Sequence, residues 1–564
     1  MEALDWLVIG VFFLALIGII VWVVRQKQND SADYFLGGRD ATWLAIGASI
    51  FASNIGSEHL IGLAGAGASS GMAMAHWEIQ GWMILILGWV FVPFYTRSMV
   101  YTMPEFLERR YNPQSRTILS VISLVSYVLT KVAVTVYAGG LVFQQVFGIK
   151  ELWGIDFFWI AAIGLVVLTA LYTIFGGMKS VLYTSVLQTP ILLLGSLIIL
   201  VLGFKELGGW DEMMRVCGAV TVNDYGDTMT NLIRSNDDAN FPWLGALIGS
   251  AIIGFWYWCT DQFIVQRVLS GKNEMEARRG TIFGAYLKLW PVFLFLIPGM
   301  IAFALHQKYI GAGGEGFLPM LENGTANADA AFPTLVAKLL PAGVKGLVVC
   351  GILAALMSSL ASLFNSSAML FTIDFYKRFR PQTSEKKLVG IGQVATVVIV
   401  ILGILWIPIM RSVGDVLYTY LQDVQSVLAP GIAAAFLLGI CWKRTSAQGG
   451  MWGLISGMVI GLTRLGAKVY YSNAGEVADS TFKYLFYDMN WLFFCGWMFL
   501  FCIIVVIVVS LATEAPTAEK IQGLVFGTAT KEQKASTRAS WNHWDIIHTV
   551  IILAITGAFY WYFW

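Results

Sequence analysis

Fourteen apolar stretches, separated by polar segments, follow one another along almost the whole chain. A helix that crosses the hydrocarbon core of a bilayer needs about 20 residues, and each stretch is close to that length or longer. The pattern therefore predicts an all-α membrane protein with fourteen transmembrane helices. The predicted spans are about 4–24, 43–67, 73–98, 117–147, 155–176, 180–204, 243–266, 278–305, 343–374, 387–408, 415–438, 449–468, 489–511 and 546–563.

The composition agrees with this pattern and excludes several classes of protein. Of the 564 residues, 57% are hydrophobic and 13% are charged, whereas soluble proteins carry about a quarter charged residues. The net charge of +1 argues against a nucleic-acid partner. The six cysteines have no metal-ligand spacing, and the sequence contains neither HExxH nor a Walker A motif. A zinc site and ATP-driven transport by this chain alone are therefore not expected.

Charged residues next to the spans predict the orientation of the chain. Glu2 and Asp5 precede the first span, whereas Arg25 and Lys27 follow it. Lysine and arginine are enriched in cytoplasmic loops, so we expect the N-terminus outside, and the later loops alternate accordingly. An even number of spans then leaves both termini outside. We expect one transmembrane domain, residues 1–564, in the plasma membrane or the bacterial inner membrane.

The second span contains the polar run SIFASNIGSEH at residues 49–59. Backbone groups that leave a helix inside a bilayer are tolerated only where they are buried in protein or line a cavity. Secondary transporters use broken helices of this kind to bind ions and substrates. The alternative is that Gly56 and Ser57 only allow neighbouring helices to pack closely.

A second polar run, GFWYWCTDQ at residues 254–262, lies five spans later. Because five is odd, the second unit enters the membrane from the opposite face, as in an inverted repeat whose two units each begin with a broken helix. The repeats would cover about 43–204 and 243–438. The remaining spans, 4–24, 449–468, 489–511 and 546–563, would be additional helices.

Polar side chains deep inside the spans are the candidates for ligand binding. Lys288 follows Arg279 by nine residues, which is about 14 Å of helix rise and half the core thickness. An ionisable residue at that depth is a functional candidate by default, although a structural ion pair is the alternative. Donors and acceptors for a polyhydroxylated ligand, with two aromatic rings to stack on it, are Asn54, His59, Glu78, Lys288, Gln422, Tyr257 and Trp258. Lys131, in the middle of the fourth span, is either structural or of unknown role.

Two adjacent hydroxyls, Ser358 and Ser359, lie in the ninth span. Serines in membrane helices usually bond back to a carbonyl one turn earlier, and this interpretation stays open. Alternatively, the two hydroxyls face freed carbonyls of a broken helix. Such a set of oxygen atoms would suit Na⁺.

Three separated motifs carry a family resemblance: ASNIGS at 52–57, YWCTDQ with IVQR at 257–267, and FTIDFY at 371–376. They resemble the sodium/solute symporter family, and in particular its sodium/glucose cotransporter branch, over residues 30 to 560. The resemblance implies a LeuT-like fold, a 5+5 inverted repeat with one span before it and three after it. It places the sodium ligands on the carbonyls of Ala52, Ile55 and Ala355 and the hydroxyls of Ser358 and Ser359. It places the sugar ligands on Asn54, His59, Glu78, Tyr257, Trp258, Lys288 and Gln422.

The sequence departs from the family pattern at three positions. Ser185 stands where many members have an aspartate, and Ala361 stands where a two-sodium member has a threonine. Both belong to the second sodium site of such members, so we predict one Na⁺ per substrate. Thr419 replaces an aspartate of some glucose transporters, which leaves the exact sugar open.

We therefore expect a Na⁺-coupled symporter that takes up a hexose-like sugar by alternating access. A polyol such as myo-inositol, or another polar metabolite, is the alternative substrate. From other classes, a membrane sugar sensor stays open, whereas a polytopic enzyme would need convergent acids, histidines or metal ligands at one membrane face. The expected partners are the sugar or polyol, the sodium ion and the lipid bilayer.

Overall fold

The computed structural model describes residues 1–26, 30–56, 58–321, 324–410, 417–473 and 478–564. The side chains of 128–130, 141, 145, 406–410, 417–421 and 472–473 lie outside the described part. These described residues form a helical fold with one two-stranded antiparallel hairpin, Glu151–Leu152 with Ile155–Asp156. The longer α-helices are Ala3–Val24, Trp43–Asn54, Pro113–Ser126, Ala133–Phe147, Phe157–Leu207, Trp243–Gly254, Glu274–Lys288, Ile297–Gly311, Val344–Met369, Glu385–Met410, Leu417–Cys441, Ala447–Asn473, Trp491–Ala512 and His543–Tyr562.

Shorter helical segments complete the bundle. The short α-helices are Ser31–Leu36, Ala64–Ser70, Ala75–Glu78, Gly81–Ile86, Val92–Ser98, Met103–Arg110, Trp210–Gly218, Gln262–Leu269, Ala331–Leu339, Lys377–Phe379, Thr481–Lys483, Ala518–Ile521 and Lys531–Ala539. Wider π-helical turns occupy Glu58–Leu63, Leu87–Phe91, Tyr127–Val132, Phe255–Thr260, Val292–Leu296, Leu370–Tyr376 and Tyr484–Asp488. Single 3₁₀ turns lie at Gly37–Arg39, Gly71–Met74 and Ala328–Ala330.

Ten helical stretches of the described residues are long and apolar enough to cross a bilayer. Four of the fourteen predicted spans are not separate members of these ten. The predicted spans 155–176 and 180–204 both lie in Phe157–Leu207, where the non-helical backbone of Gly177 separates two helices. The predicted spans 43–67 and 117–147 are divided into shorter helices, and 449–468 is a helix of lower hydropathy that is not among the ten. The chain is a multi-pass, all-helical membrane protein.

Gly177 separates the two helices of Phe157–Leu207 because of its backbone geometry. Its φ of +53° is a conformation that side chains disfavour. The carbonyl oxygen of Tyr34 lies where a Cβ atom of residue 177 would be. Only glycine therefore fits this corner between the two halves of Phe157–Leu207.

Glycines also bring two helices into direct backbone contact. A Cβ atom on Gly67 would overlap the carbonyl oxygen of Leu296, and one on Gly299 would overlap the carbonyl oxygen of Ala64. Small residues at such crossings allow helices in membranes to approach closely. The helices Ala64–Ser70 and Ile297–Gly311 are thus joined backbone to backbone.

The helix Trp43–Asn54 lies at the centre of the bundle. It packs against Glu274–Lys288, Phe157–Leu207 and Val344–Met369. These three neighbours carry Lys288, Ser185 and the pair Ser358 and Ser359. The packing therefore brings candidate residues from four distant parts of the sequence around one helix end.

Candidate substrate and ion site

The first broken helix consists of Trp43–Asn54 and the turns that continue from Glu58. Trp43–Asn54 ends because Ile55 has an extended backbone, with φ −82° and ψ 100°. The hydroxyl of Ser359 donates to the freed carbonyls of Ser53, at 3.0 Å, and Ile55, at 3.2 Å. One serine of the helix Val344–Met369 thus partners two carbonyl oxygens at this break.

The second broken helix consists of Trp243–Thr260 and Gln262–Leu269. It is interrupted at Asp261, whose backbone is extended at φ −78° and ψ 127°. The Asp261 side chain accepts a hydrogen bond from the backbone N–H of Phe263, at 3.3 Å, as an N-cap. It also accepts from the Lys131 ammonium, at 2.6 Å, and from the Tyr127 hydroxyl.

Lys131 lies among aromatic rings beside this break. Its ammonium nitrogen is 4.7–5.4 Å from the ring centroids of Tyr127, Trp256, Tyr257 and Phe263. The faces of aromatic rings attract cations, more strongly when both are desolvated. The lysine whose role the sequence leaves open is therefore the counter-ion of Asp261, in contact with the ring of the substrate candidate Tyr257.

All seven predicted substrate ligands line one cavity between the two broken helices. The volume of this cavity is about 50 Å³. Its predicted members are Asn54, His59, Glu78, Tyr257, Trp258, Lys288 and Gln422. Residues far apart in sequence thus meet in one place, although their role as ligands stays a prediction.

Glu78 is the centre of a buried polar network. Its Oε2 atom accepts from the Lys288 ammonium at 2.6 Å and lies 3.3 Å from Nε2 of His59. The Asn54 amide nitrogen is 3.4 Å from the same histidine nitrogen. The ion pair that the sequence offered as the alternative for Lys288 is present, and it lies in the wall of the cavity.

Other polar atoms of the cavity have no hydrogen-bond partner among the described residues. These are Oε1 of Gln422, Nε1 of Trp77 and Oε2 of Glu58. A buried polar atom without a partner costs about 1–3 kcal/mol. The cavity therefore offers an acceptor and a donor that a hydroxylated ligand would satisfy, and a carboxylate oxygen.

Five further cavity residues with polar groups were missed by the sequence analysis. Gln80 accepts from the indole N–H of Trp258, at 3.3 Å, and donates to the carbonyl of Ser250, at 2.8 Å. The other four are Glu58, Trp77, Thr135 and Gln425. Helical spacing could have found Gln425, because it lies three positions after Gln422 on the same face.

The predicted sodium ligands are divided between two small hydroxyl groupings. Ser359 lines the cavity and touches the Ile55 carbonyl, whereas Ser358 lies 3.3 Å from the hydroxyl of Ser185. The carbonyls of Ala52 and Ala355 belong to the helices Trp43–Asn54 and Val344–Met369. Hydroxyl and carbonyl oxygens are the ligands that hard cations prefer, so the grouping at Ser359 fits Na⁺ chemically. The side chain of Thr419 lies outside the described residues.

A cavity enclosed by two interrupted helices deep in a helical membrane protein defines the class of secondary transporters. Comparisons with known proteins agree. The profile of the sodium:solute symporter family matches residues 34–457, and the chain belongs to this family.

Named relatives and a solved structure refine the comparison. The chain is 36% identical to the human sodium/myo-inositol cotransporter 2 over 542 residues, 94% of this chain and 79% of the human protein. It is 36% identical to the Danio rerio sodium/glucose cotransporter 4 over 560 residues, 96% of this chain and 84% of that protein. A Na⁺-coupled sialic acid symporter in a substrate-bound outward-open state has a similar fold, with a TM-score of 0.72 and 22% identity over 92% of this chain and 99% of that one.

Proposed function

We propose that this protein is a Na⁺-coupled symporter that takes up a cyclic polyol of the myo-inositol type. The observation that carries the proposal is the single cavity in which all seven predicted ligands meet, beside the hydroxyl and carbonyl oxygens at Ser359 and Ile55. The relative named as a myo-inositol cotransporter favours the polyol over the hexose that the sequence alone suggests. A hexose stays the second candidate because a glucose cotransporter is equally identical.

The polar groups of the cavity suit a ring that carries many hydroxyls. Glu78 and the Oε1 atom of Gln422 accept hydrogen bonds, whereas Lys288, Asn54 and Trp77 donate them. The rings of Tyr257 and Trp258 lie at 4.9 Å in an edge-to-face pair and offer an apolar surface for the C–H face of a ring. A cyclic polyol has no charge, which matches a pocket whose Glu78 and Lys288 already neutralise each other.

Alternating access would explain how substrate enters and leaves this cavity. A cavity of about 50 Å³ has about a third of the volume of a cavity that holds benzene, about 150 Å³. Entry of a six-membered ring with its hydroxyls therefore requires the cavity walls to separate. Na⁺ bound between Ser359 and the freed carbonyls would hold the first broken helix against Val344–Met369. Binding of both ligands would then favour the state that opens to the other side.

The finer architecture belongs to the same proposal. We infer fourteen spans in one transmembrane domain, inverted repeats at about 43–204 and 243–438, and both termini outside, in the plasma membrane or a bacterial inner membrane. The protein would be a transporter and not an enzyme. Impermeant thiol reagents should label cysteines placed near Asp224 but not near Lys531 in intact cells, and labelling near Lys531 would contradict this topology.

Uptake into proteoliposomes tests the function. We expect a Na⁺ gradient, but not a K⁺ gradient, to drive accumulation of labelled myo-inositol, with glucose and galactose as competitors. Stronger Na⁺-driven uptake of glucose would support the hexose candidate. Saturable binding without any accumulation would indicate the alternative from another class, a membrane sugar sensor.

The proposed stoichiometry is one Na⁺ per substrate. Ser185 and Ala361 provide no carboxylate for a second cation, and the Ser185 hydroxyl already donates to the carbonyl of Val181 at 2.6 Å. At zero voltage, a tenfold Na⁺ gradient should then be balanced by about a tenfold opposing substrate gradient. Balance near a hundredfold would mean two ions.

A further inference from the structure

Glu58 is the first described residue after the break in the first broken helix, and its carboxylate folds back over that break. A Cβ atom on Gly56 would overlap the Oε2 atom of Glu58 and would lie 2.9 Å from the hydroxyl oxygen of Ser359. The carboxylate and the hydroxyl therefore flank the same small space. Glycine at position 56 keeps that space open.

The Oε2 atom of Glu58 is buried and has no hydrogen-bond partner among the described residues. A carboxylate inside a bilayer is costly, and such residues normally pair with another group or bind an ion. Glu78 and Asp261 are paired in this way, because each carboxylate accepts a hydrogen bond from a lysine ammonium at 2.6 Å. Glu58 has no such lysine in the described part of the chain.

The charged side chains at the cavity form two lysine–carboxylate pairs. The charged side chains that line it are Glu58, Glu78, Lys131 and Lys288. Glu78 pairs with Lys288, and Lys131 pairs with Asp261 just outside the lining. Glu58 is the lining carboxylate that accepts from neither of these lysines in the described residues. A monovalent cation next to Glu58 would give this carboxylate a partner as well.

We propose that Glu58 is a ligand of the coupling Na⁺, on the cavity side of the ion, together with the Ser359 hydroxyl and the Ile55 carbonyl. The inference rests on the proposed function and adds a carboxylate to a site otherwise built from neutral oxygens. A carboxylate offsets the dehydration of a cation better than neutral oxygens do.

The position of Glu58 also connects the ion to the substrate. The next residue is His59, whose Nε2 atom lies 3.3 Å from Glu78. Na⁺ that fixes the Glu58 carboxylate therefore also fixes the backbone that carries His59 into the substrate cavity. Na⁺ binding would precede and strengthen substrate binding.

Direct Na⁺ binding to the purified full chain tests the proposal without transport. Thermal stabilisation by NaCl, titrated against KCl at constant ionic strength, gives an apparent Kd for wild type, Glu58→Gln and Glu58→Gly. We expect both Glu58 variants to raise that Kd at least tenfold. Glu315→Gln removes an exposed carboxylate and should leave the Kd within twofold of wild type.

The possible results of this experiment distinguish the role of Glu58 from the proposed symport of myo-inositol. A folded Glu58→Gln or Glu58→Gly protein that binds Na⁺ as wild type does overturns the role of Glu58 and leaves the symport proposal intact. Wild-type protein that shows no saturable stabilisation by Na⁺ overturns both. Na⁺ binding that depends on Glu58, without uptake of myo-inositol, supports this inference and rejects the polyol.

A measurement on wild-type protein covers the case in which neither variant folds. The infrared difference spectrum between Na⁺ and K⁺ should contain a carboxylate band that moves when glutamate is labelled with ¹³C. Absence of any glutamate band in that spectrum would overturn the proposal.

Discussion

At the first break, two carbonyl oxygens share the hydroxyl of Ser359, and the nearby Glu58 oxygen has no partner in the described residues. At the second break, Asp261 caps the following helix and pairs with Lys131, which is in turn enclosed by aromatic rings. The second break is thus satisfied by protein side chains, whereas the proposed Na⁺ would complete the partners at the first. The same interruption of a helix can therefore serve as a fixed joint or as a binding site.

The largest expected effect concerns the ion pair at the second break, between Lys131 and Asp261. Lys131→Met leaves the Asp261 carboxylate buried without its cation, which costs about 3–5 kcal/mol. We expect a large loss of monodisperse protein and a lower Tm in detergent. The double variant Lys131→Met with Asp261→Asn should recover most of that loss, because it removes both charges.

Lys468→Met is the matched control for Lys131→Met. Its partner is Asp423, and the two side chains are 30% and 20% exposed, compared with 7% and 2% for Lys131 and Asp261. Pairs in contact with water contribute about 0–1 kcal/mol. If Lys131→Met is as stable as Lys468→Met, the second break does not depend on its ion pair.

The next effect tests the binding site at the first break. Ser359→Ala removes the hydroxyl that faces the carbonyls of Ser53 and Ile55. We expect the Na⁺ concentration for half-maximal uptake to rise about tenfold or more, since a lost buried partner costs about 1–3 kcal/mol. The Na⁺ dependence of myo-inositol uptake measures this change.

Ser367→Ala provides the comparison on the same helix. Its hydroxyl is buried and has no hydrogen-bond partner among the described residues, so its removal should leave the Na⁺ dependence unchanged. Equal effects of Ser359→Ala and Ser367→Ala would show that serines of Val344–Met369 act only through packing.

A smaller effect separates the substrate from the ion. Gln422→Ala removes an acceptor that faces the cavity. We expect KM for the substrate to rise about tenfold at saturating Na⁺, with little change in direct Na⁺ binding. Gln393→Ala, at a glutamine that donates to the carbonyl of Ile174, should leave KM unchanged, and an equal change in both variants would contradict the assignment of Gln422.

The smallest effect concerns the aromatic wall beside the second break. Tyr257→Phe keeps the ring that lies 4.8 Å from the Lys131 ammonium and 4.9 Å from the Trp258 ring. We expect KM to change less than about threefold, because ring stacking survives the loss of the hydroxyl. A larger change would mean that the hydroxyl binds substrate directly.

Much of this arrangement could be predicted from the sequence, because polar residues in an apolar run are rare and costly. The polar runs around Asn54 and Asp261, and the position of Lys288 near the middle of the membrane, could therefore be recognised in the sequence. Family resemblance supplied the residue-by-residue assignment, which stays a prediction for every ligand. The all-helical membrane fold and the family were confirmed.

What the sequence could not give is which polar residues pair with each other. Lys131 and Asp261 are 130 positions apart, and no periodicity relates them. In the sequence, Glu58 is one of several polar residues in the first run. Whether its carboxylate has a partner depends on the packing of the other chain segments, which the sequence does not show. The tight contact with the Tyr34 carbonyl at Gly177, between the predicted spans 155–176 and 180–204, could not be predicted for the same reason.

The backbone contact at Gly67 and Gly299 has a mechanical consequence. Because Gly67 and Gly299 have no side chains at these two contacts, no side-chain rotation there can absorb sliding of one helix along the other. We expect the two helices to move as one rigid body about the break at Ile55. Spectroscopic labels on this pair should keep a constant separation through the transport cycle, while labels across the cavity move apart and together.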